Sequence, residues 1–230
     1  MTTDHDNPVF RGFDPLSPTR LYRRNLPHWR QDGATYFVTF RLGDSIPRDV
    51  CLGWQEQDRV WLTANGIEGL LSESRCQALY EKLPEKARRG FEQRAGRRMH
   101  VELDRSHGSC LLRQPAAREV ITHALKHFEG ERWWTGDFVV MPNHVHGLFQ
   151  PIESQNLEDT LGSIKGFVST RLTKLGVKTG ELWQSENYDR LVRDRTELLV
   201  WRRYIERNPG KAGLEASGYT YYRCDWLDDK

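Results

Sequence analysis

The run Val139-Val140-Met141-Pro142-Asn143-His144-Val145-His146-Gly147-Leu148-Phe149 constrains this chain more than any other. Two apolar, strand-prone segments flank a Pro-Asn pair, which is turn chemistry. The run therefore predicts a hairpin, with Trp133 to Met141 as one arm and His144 to Gln150 returning antiparallel. Alternate side chains on a strand point the same way. His144 and His146 then share one face, while Val145 enters a core from the other. Two imidazoles side by side on a rigid strand are half of a metal site. The pair alone is also compatible with two polar residues on a solvated face.

The flanking sequence reads as further elements of an α+β domain. Thr35-Tyr36-Phe37-Val38-Thr39-Phe40-Arg41-Leu42 is rich in β-branched and aromatic residues and predicts the first strand. Gly108 to Leu112 reads as a short strand. Pro115 then opens a helix with a stripe of Ala117, Val120, Ile121, Ala124, Leu125 and Phe128. Asn156 caps a helix whose stripe is Leu157, Leu161, Ile164, Val168, Leu172 and Leu175, with Gly176 ending it. Leu182-Trp183-Gln184 and Tyr188 to Val192 read as a strand with an irregular approach. Asp194, with Glu197 three residues on, starts the last clear helix, which is expected to stop near Asn208-Pro209-Gly210. From about 47 to 106 the pattern is helical: Trp54, Val60, Trp61 and Leu62, then Cys76, Leu79, Tyr80 and Leu83, then Phe91 among arginines. This stretch is expected to be an insertion on a compact core. Residues 1–33 read as an irregular basic arm, with Trp29 placed to pin it to the body. Residues 34–215 are expected to form a single domain, and 216–230 a tail with no clear period.

Composition removes several classes. No apolar run approaches the ~20 residues that span a bilayer, and the first residues do not resemble a secretory signal. Cysteines 51, 76, 110 and 224 are scattered, so neither a zinc ribbon nor a disulfide scaffold is indicated, and a cytoplasmic protein with reduced thiols is expected. The net charge of +2 does not by itself point to nucleic acid, but its distribution is uneven. Leu161 to Leu214 carries eleven Lys and Arg against six Asp and Glu, and Glu81 to His100 carries seven against three. Clustered basic charge is the footprint of a phosphate-binding surface, though a solvated, salt-bridged helical face has the same composition.

On the last helix, Tyr204 and Asn208 are four residues apart and lie on one stripe. If that stripe faces the histidine pair, the site holds two neutral imidazoles, an amide oxygen and a phenol. Such ligands leave a divalent cation, Mg²⁺ or Mn²⁺, with its charge uncompensated and open positions, suited to polarising a phosphate oxygen. A phenol placed in line could attack a phosphodiester and conserve the bond energy as a phosphotyrosine. Each signal also has a plain structural reading, since a Tyr on an amphipathic helix is commonly core and Asn before Pro is commonly a helix end.

Taken together, these residues resemble the single-tyrosine HUH transposases, and within them the REP-associated tyrosine transposases. The matching text is Val139 to His146, Leu182-Trp183-Gln184, Tyr188-Asp189-Arg190 with Val192-Arg193, and Tyr204-Ile205-Glu206-Arg207-Asn208-Pro209 with Lys211-Ala212-Gly213-Leu214. Thr35 to Leu42 also resembles the family's opening, and the likeness covers roughly residues 28–46 and 108–215. The resemblance implies an antiparallel sheet with helices packed on it, a ferredoxin-like or RRM-like core. It implies a metal-dependent endonuclease and strand transferase for single-stranded DNA, acting on short palindromic hairpins through a 5′-phosphotyrosine. By position, His144, His146 and Asn208 match the metal ligands and Tyr204 the nucleophile. Lys165, Arg193 and Arg203 are candidate DNA contacts, and Arg88, Arg89, Arg94, Arg97 and Arg98 give the insertion a possible DNA-binding role. Trp183 and Tyr188 are expected in the core rather than as stacking platforms. No membrane and no obligate protein partner are expected, with a monomer favoured over a homodimer. Other classes stay open: a catalytically silent DNA-hairpin binder, an RNA-binding module, or another metal or nucleotide hydrolase. The histidine-triad hydrolases need a third His where this chain has Leu148, and a barrel hydrolase needs repeated βα units.

Overall fold

The computed structural model describes residues 8–23, 27–67, 73–177 and 180–228. Its centre is an antiparallel sheet built from β3 (Tyr36–Arg41), β4 (Trp133–Val140), β5 (His144–Pro151), β6 (Tyr188–Leu191) and β7 (Thr220–Tyr222). The strand order is β6-β3-β5-β4-β7, which places the histidine strand β5 in the middle, paired on both edges. Helices cover both faces. The α+β expectation is met, with helices on a five-stranded antiparallel sheet.

The alternation of side chains divides the interior into two cores. Tyr36, Val38 and Phe40 of β3 and Val145 and Phe149 of β5 face α4 (Pro115–His127) and α5 (Leu157–Lys174), whose stripes complete the larger core. Phe37 of β3, Val139 of β4 and Leu148 of β5 face α6 (Arg195–Lys211) and the C-terminal residues in the second. His144 and His146 have the parity of Leu148 and so lie on the α6 face, both fully buried. A register shift between Thr135 and Phe138 lets Trp133 and Phe138 face the same core although they are an odd number of residues apart. Gly136 sits in that irregularity, where a Cβ would come within 2.8 Å of the Leu148 Cβ and carbonyl oxygen.

The stretch from about 47 to 106 forms α1 (Arg48–Ala64), α2 (Glu73–Lys82) and α3 (Glu85–Asp104). Among the described residues its own core holds buried Ile67, Tyr80 and Phe91, with Trp61, Leu62, Cys76, Leu79 and Leu83 packed against them. α3 leans on the main body at Gly96, where a Cβ would stand 2.8 Å from the Tyr188 hydroxyl.

Several expectations need correction. The arm is not irregular throughout, because β1 (Arg20–Arg23) and β2 (Pro27–Arg30) pair antiparallel. It is also tied down: Phe13 N–H donates to the Val192 carbonyl, Thr35 N–H donates to the Arg11 carbonyl, and Arg30 bonds Asp189 and Glu158. These partners are far away in sequence, so no local pattern announces them. The expectation for Trp29 concerns a side chain outside those described. Gly108 to Leu112 is not a strand. Gly108 and Cys110 have positive φ (84° and 50°), and a 3₁₀ turn follows at Leu111–Arg113, with Leu112 N–H donating to the Pro142 carbonyl. The α5 stripe ends at Leu172, since Leu175 is exposed and Val177 packs in its place. α6 does end next to the expected Asn208-Pro209-Gly210, at Lys211, and takes Pro209 into its last turn. A proline one turn from a helix end forfeits a single N–H bond, while the Asn208 and Pro209 carbonyls still accept from Ala212 and Leu214. The tail beyond 215 supplies the edge strand β7, and Cys224 and Leu227 enter the second core.

Candidate active site

The turn before β5 is bonded from three sides. Met141 N–H donates to the His144 carbonyl, Leu42 N–H to the Asn143 carbonyl and Leu112 N–H to the Pro142 carbonyl. Asn143 is fully buried, and its amide nitrogen donates to the His107 carbonyl at 3.1 Å. Its Oδ1 therefore faces the His144 Nδ1, 2.7 Å away. An amide oxygen only accepts, so Nδ1 carries the proton and Nε2 keeps its lone pair. That Nε2 is buried and has no hydrogen-bond partner. His146 is held alike: Thr39, its cross-strand partner on β3, places Oγ1 2.7 Å from Nδ1. The Nε2 of His146 meets the Tyr204 hydroxyl at 3.3 Å. Phe37 stacks on the His146 ring, 5.5 Å between centroids, and fixes its plane.

α6 carries the opposite wall. The Asp194 side chain accepts from Glu197 N–H and starts the helix. The box is not reciprocal, because Glu197 instead bonds the Arg193 N–H and the Arg190 guanidinium. Arg202 locks the helix against the sheet through the buried carboxylate of Asp137 (2.8 Å), with Asp228 and the Cys224 carbonyl completing its bonds. Two residues on, Tyr204 points at His146. One turn further, Asn208 is fully buried beside His144 and Tyr204, near enough to influence the protonation of both. Its Oδ1 makes no hydrogen bond, while its Nδ2 donates to Asp104 at 3.2 Å.

A groove of about 720 Å³ opens onto this cluster between α3 and α6. Its floor includes His100, Tyr188, Trp201 and Tyr204, and its rim includes Arg97, Arg193 and Lys211. His100 is a contribution of the inserted helix. Its ring lies 5.3 Å from both His146 and Tyr204, and its buried Nε2 is unpaired. The Lys211 ammonium sits 4.7 Å from the centre of the Tyr204 ring.

The electrostatics follow from burial. Desolvation, with mutual repulsion, pushes His144 down to about 3 and His146 well below its ordinary value. Desolvation and Lys211 push His100 down to about 4. All three imidazoles are thus neutral near pH 7, the form that binds metal. Burial, reinforced by Asp104, raises the Tyr204 phenol far above its usual range. Among the described residues no three His, Cys, Asp or Glu side chains are grouped to hold a metal. The set that fits one is mixed: His144 Nε2, His146 Nε2 and Asn208 Oδ1. Two of these atoms are buried acceptors without partners, which a cation would satisfy.

The structure therefore brings His144, His146, Tyr204 and Asn208 together. Arg193 lies on the groove rim. Arg203 is exposed and outside the groove, and Lys165 is bonded internally to the Gln184 carbonyl and the Asn187 Oδ1. Trp183 is buried, with its indole donating to the Lys165 carbonyl. Tyr188 lines the groove rather than sitting wholly in the core. His100, Asp104, Thr39 and Lys211 were not singled out by sequence. Only Thr39 carried a usable signal, since it pairs with His146 once the strand register is known.

Residues 110–208 match the family described as IS200-like transposases. Over that segment the chain is similar to the IS200-like transposases. The segment holds both histidines, Tyr204 and Asn208, and leaves out α1, α2 and α3. An uncharacterized protein of Haemophilus influenzae is 29% identical, over 32% of this chain and 52% of that protein. The chain thus spans about half the length of this curated relative. The solved structure of a REP-associated tyrosine transposase bound to a REP hairpin superposes with a TM-score of 0.44 at 17% identity, covering 84% of this chain and 74% of that one. No described helix is long and apolar enough to cross a membrane.

Proposed function

We propose that this chain is a divalent-metal-dependent endonuclease and strand transferase for single-stranded DNA, working through a 5′-phosphotyrosine. The observation that carries this reading is the approach of the Tyr204 hydroxyl to His146 Nε2, beside the unpaired His144 Nε2 and Asn208 Oδ1. His144, His146 and Asn208 would hold Mg²⁺ or Mn²⁺, which supplies Lewis-acid polarisation of a phosphate oxygen and a charge that favours the phenolate. The Tyr204 oxygen bonds to phosphorus while the bond to the 3′ oxygen breaks. The phenol gives up its proton and the departing 3′ oxygen takes one up, leaving a 5′-phosphotyrosine and a free 3′ hydroxyl. That 3′ hydroxyl, or another, reverses the step to join strands. Burial makes the phenol a weak acid, so the Lys211 ammonium against its ring helps to stabilise the anion.

The substrate proposed is a short palindromic hairpin with a single-stranded flank, which rests on the sequence resemblance. Arg97, Arg193 and Lys211 on the groove rim suit phosphates, and the exposed aromatic edges suit bases. Of the insertion's arginines, Arg89 is paired with Glu85 and Arg98 with Asp58, and Arg94 lies over Trp61. Arg97 lines both the catalytic groove and the neighbouring groove between α1 and α3, and is the best placed for DNA.

The test uses labelled single-stranded DNA with the imperfect palindromes that flank the gene. Protein and Mn²⁺ or Mg²⁺ are added, and a denaturant-stable protein–DNA adduct is sought. Wild type gives the adduct; Tyr204→Phe, His146→Ala and wild type with EDTA do not. Cleavage that survives Tyr204→Phe removes the phosphotyrosine mechanism. Hairpin binding with no adduct under either metal makes the chain a silent binding protein.

A further inference from the structure

The inserted helix α3 touches the site through residues four apart. Gly96, His100 and Asp104 lie on one stripe, and they meet Tyr188, Tyr204 and Asn208 in turn. His100 and Asp104 are thus matched to the spacing of Tyr204 and Asn208, so a single face of α3 addresses both functional positions of α6.

The contact at Asp104 has a chemical consequence. A side-chain amide offers an oxygen on one side and a nitrogen on the other, and nothing in its shape decides which faces a metal. Only the oxygen ligates a hard cation. An ionised carboxylate accepts hydrogen bonds and cannot donate. Asp104, 3.2 Å from Asn208, must therefore attract the amide nitrogen. The oxygen is turned the other way, where it stands buried and unpaired beside His144. We infer that Asp104 is a positioning residue, which fixes the Asn208 amide with its oxygen towards the metal ligated by His144 and His146. This inference rests on the metal site proposed above and assigns the insertion a role in building it. Asn143 plays the same part for His144, and its own amide is held by the His107 carbonyl, just beyond the end of α3. The insertion and its exit loop thereby orient two of the three ligands from behind.

The experiment measures Mn²⁺ binding directly, by titration calorimetry or by the loss of the free-ion EPR signal, on the full chain without DNA. Wild type, Asp104→Asn, Asp104→Ala, Asn208→Ala and the double variant Asp104→Ala/Asn208→Ala are compared, with thermal melts to confirm folding. Loss of an orienting partner behind a ligand typically weakens metal binding about 10–100-fold. That loss is expected for Asp104→Ala. Asp104→Asn, nearly the same shape, should lose affinity too, because its amide can donate to the Asn208 oxygen and let the amide turn over. In the Asn208→Ala background the Asp104→Ala change should have no further effect, since the group it orients is gone. Equal affinity for wild type and both Asp104 variants overturns the inference. So does an Asp104 effect that persists undiminished without Asn208, which would mean that the carboxylate acts on the ion by charge. A wild type that binds no Mn²⁺ removes the metal reading itself, and the inference with it.

Discussion

The two walls of the groove are built by opposite strategies. α6 is capped by Asp194 and anchored by Arg202 to the buried Asp137, and its inner stripe joins a core shared with the sheet. α3 belongs to an insertion whose core, among the described residues, gathers around Ile67, Tyr80 and Phe91, and it meets the body through Gly96, the His100 ring and the Asp104 side chain. The proposed nucleophile and ligand are carried by the wall anchored in the core shared with the sheet. A group that orients the ligand comes from the inserted wall. Anchoring is thus concentrated where the proposed reacting atoms must keep their positions.

The largest break in this contrast is expected from Arg202→Ala. It strands the carboxylate of Asp137, which is 1% exposed, and leaves the Cys224 carbonyl without its partner. Removing one member of such a buried pair costs about 3–5 kcal/mol. Urea melts should show the loss across the whole protein, and a loss confined to the C-terminal strand would contradict the anchoring role. Next in size is Phe91→Ala, which removes the ring stacked on Trp61 at 4.4 Å. A cost of about 3 kcal/mol is expected, confined to the insertion. Hydrogen exchange should show α1 and α2 losing protection while β5 keeps it; equal loss in β5 would mean that the walls are not independent.

The smallest effect is the share of a single imidazole in a pH dependence. His144 and His100 titrate at about 3 and about 4 in the folded chain, and His146 is also depressed. An unfolded histidine takes up a proton near ~6.5. Above that value both states are neutral and no stability is lost. Below it the unfolded chain binds protons that the folded chain refuses, so stability falls as the pH falls. Each imidazole contributes up to about 1.4 kcal/mol per pH unit. Metal-free protein should therefore melt progressively earlier between pH 7 and pH 5. His100→Leu should flatten that slope by one imidazole's share, and an unchanged slope would show that His100 is not held neutral.

Much of this was legible in the sequence because its causes are local. Alternation fixed the faces of β5, a Pro-Asn turn set the hairpin, and a spacing of four put Tyr204 and Asn208 on one stripe. What was hidden depends on contacts between distant residues. His100 sits in an arginine-rich helix with nothing around it to mark a site, and Asp104 and Asn208 are 104 residues apart. Pro209 marked the end of α6 to within a turn, and the helix can include it because the hydrogen bond lost at the last turn is small. The strand expected at Gly108 does not form. Its apolar residues Leu111 and Leu112 join the larger core, but the backbone before them is coiled at Gly108 and Cys110.

The long separation behind the Asp104–Asn208 contact bears on the order in which the protein assembles. The β5 ladder closes early with its hairpin neighbour, as near-neighbour pairing does. The amide can be set only after a separately folded helical unit has come to rest against the finished sheet. In a refolding experiment, then, sheet circular dichroism should recover first, and the capacity to bind Mn²⁺ should return in a later, slower phase.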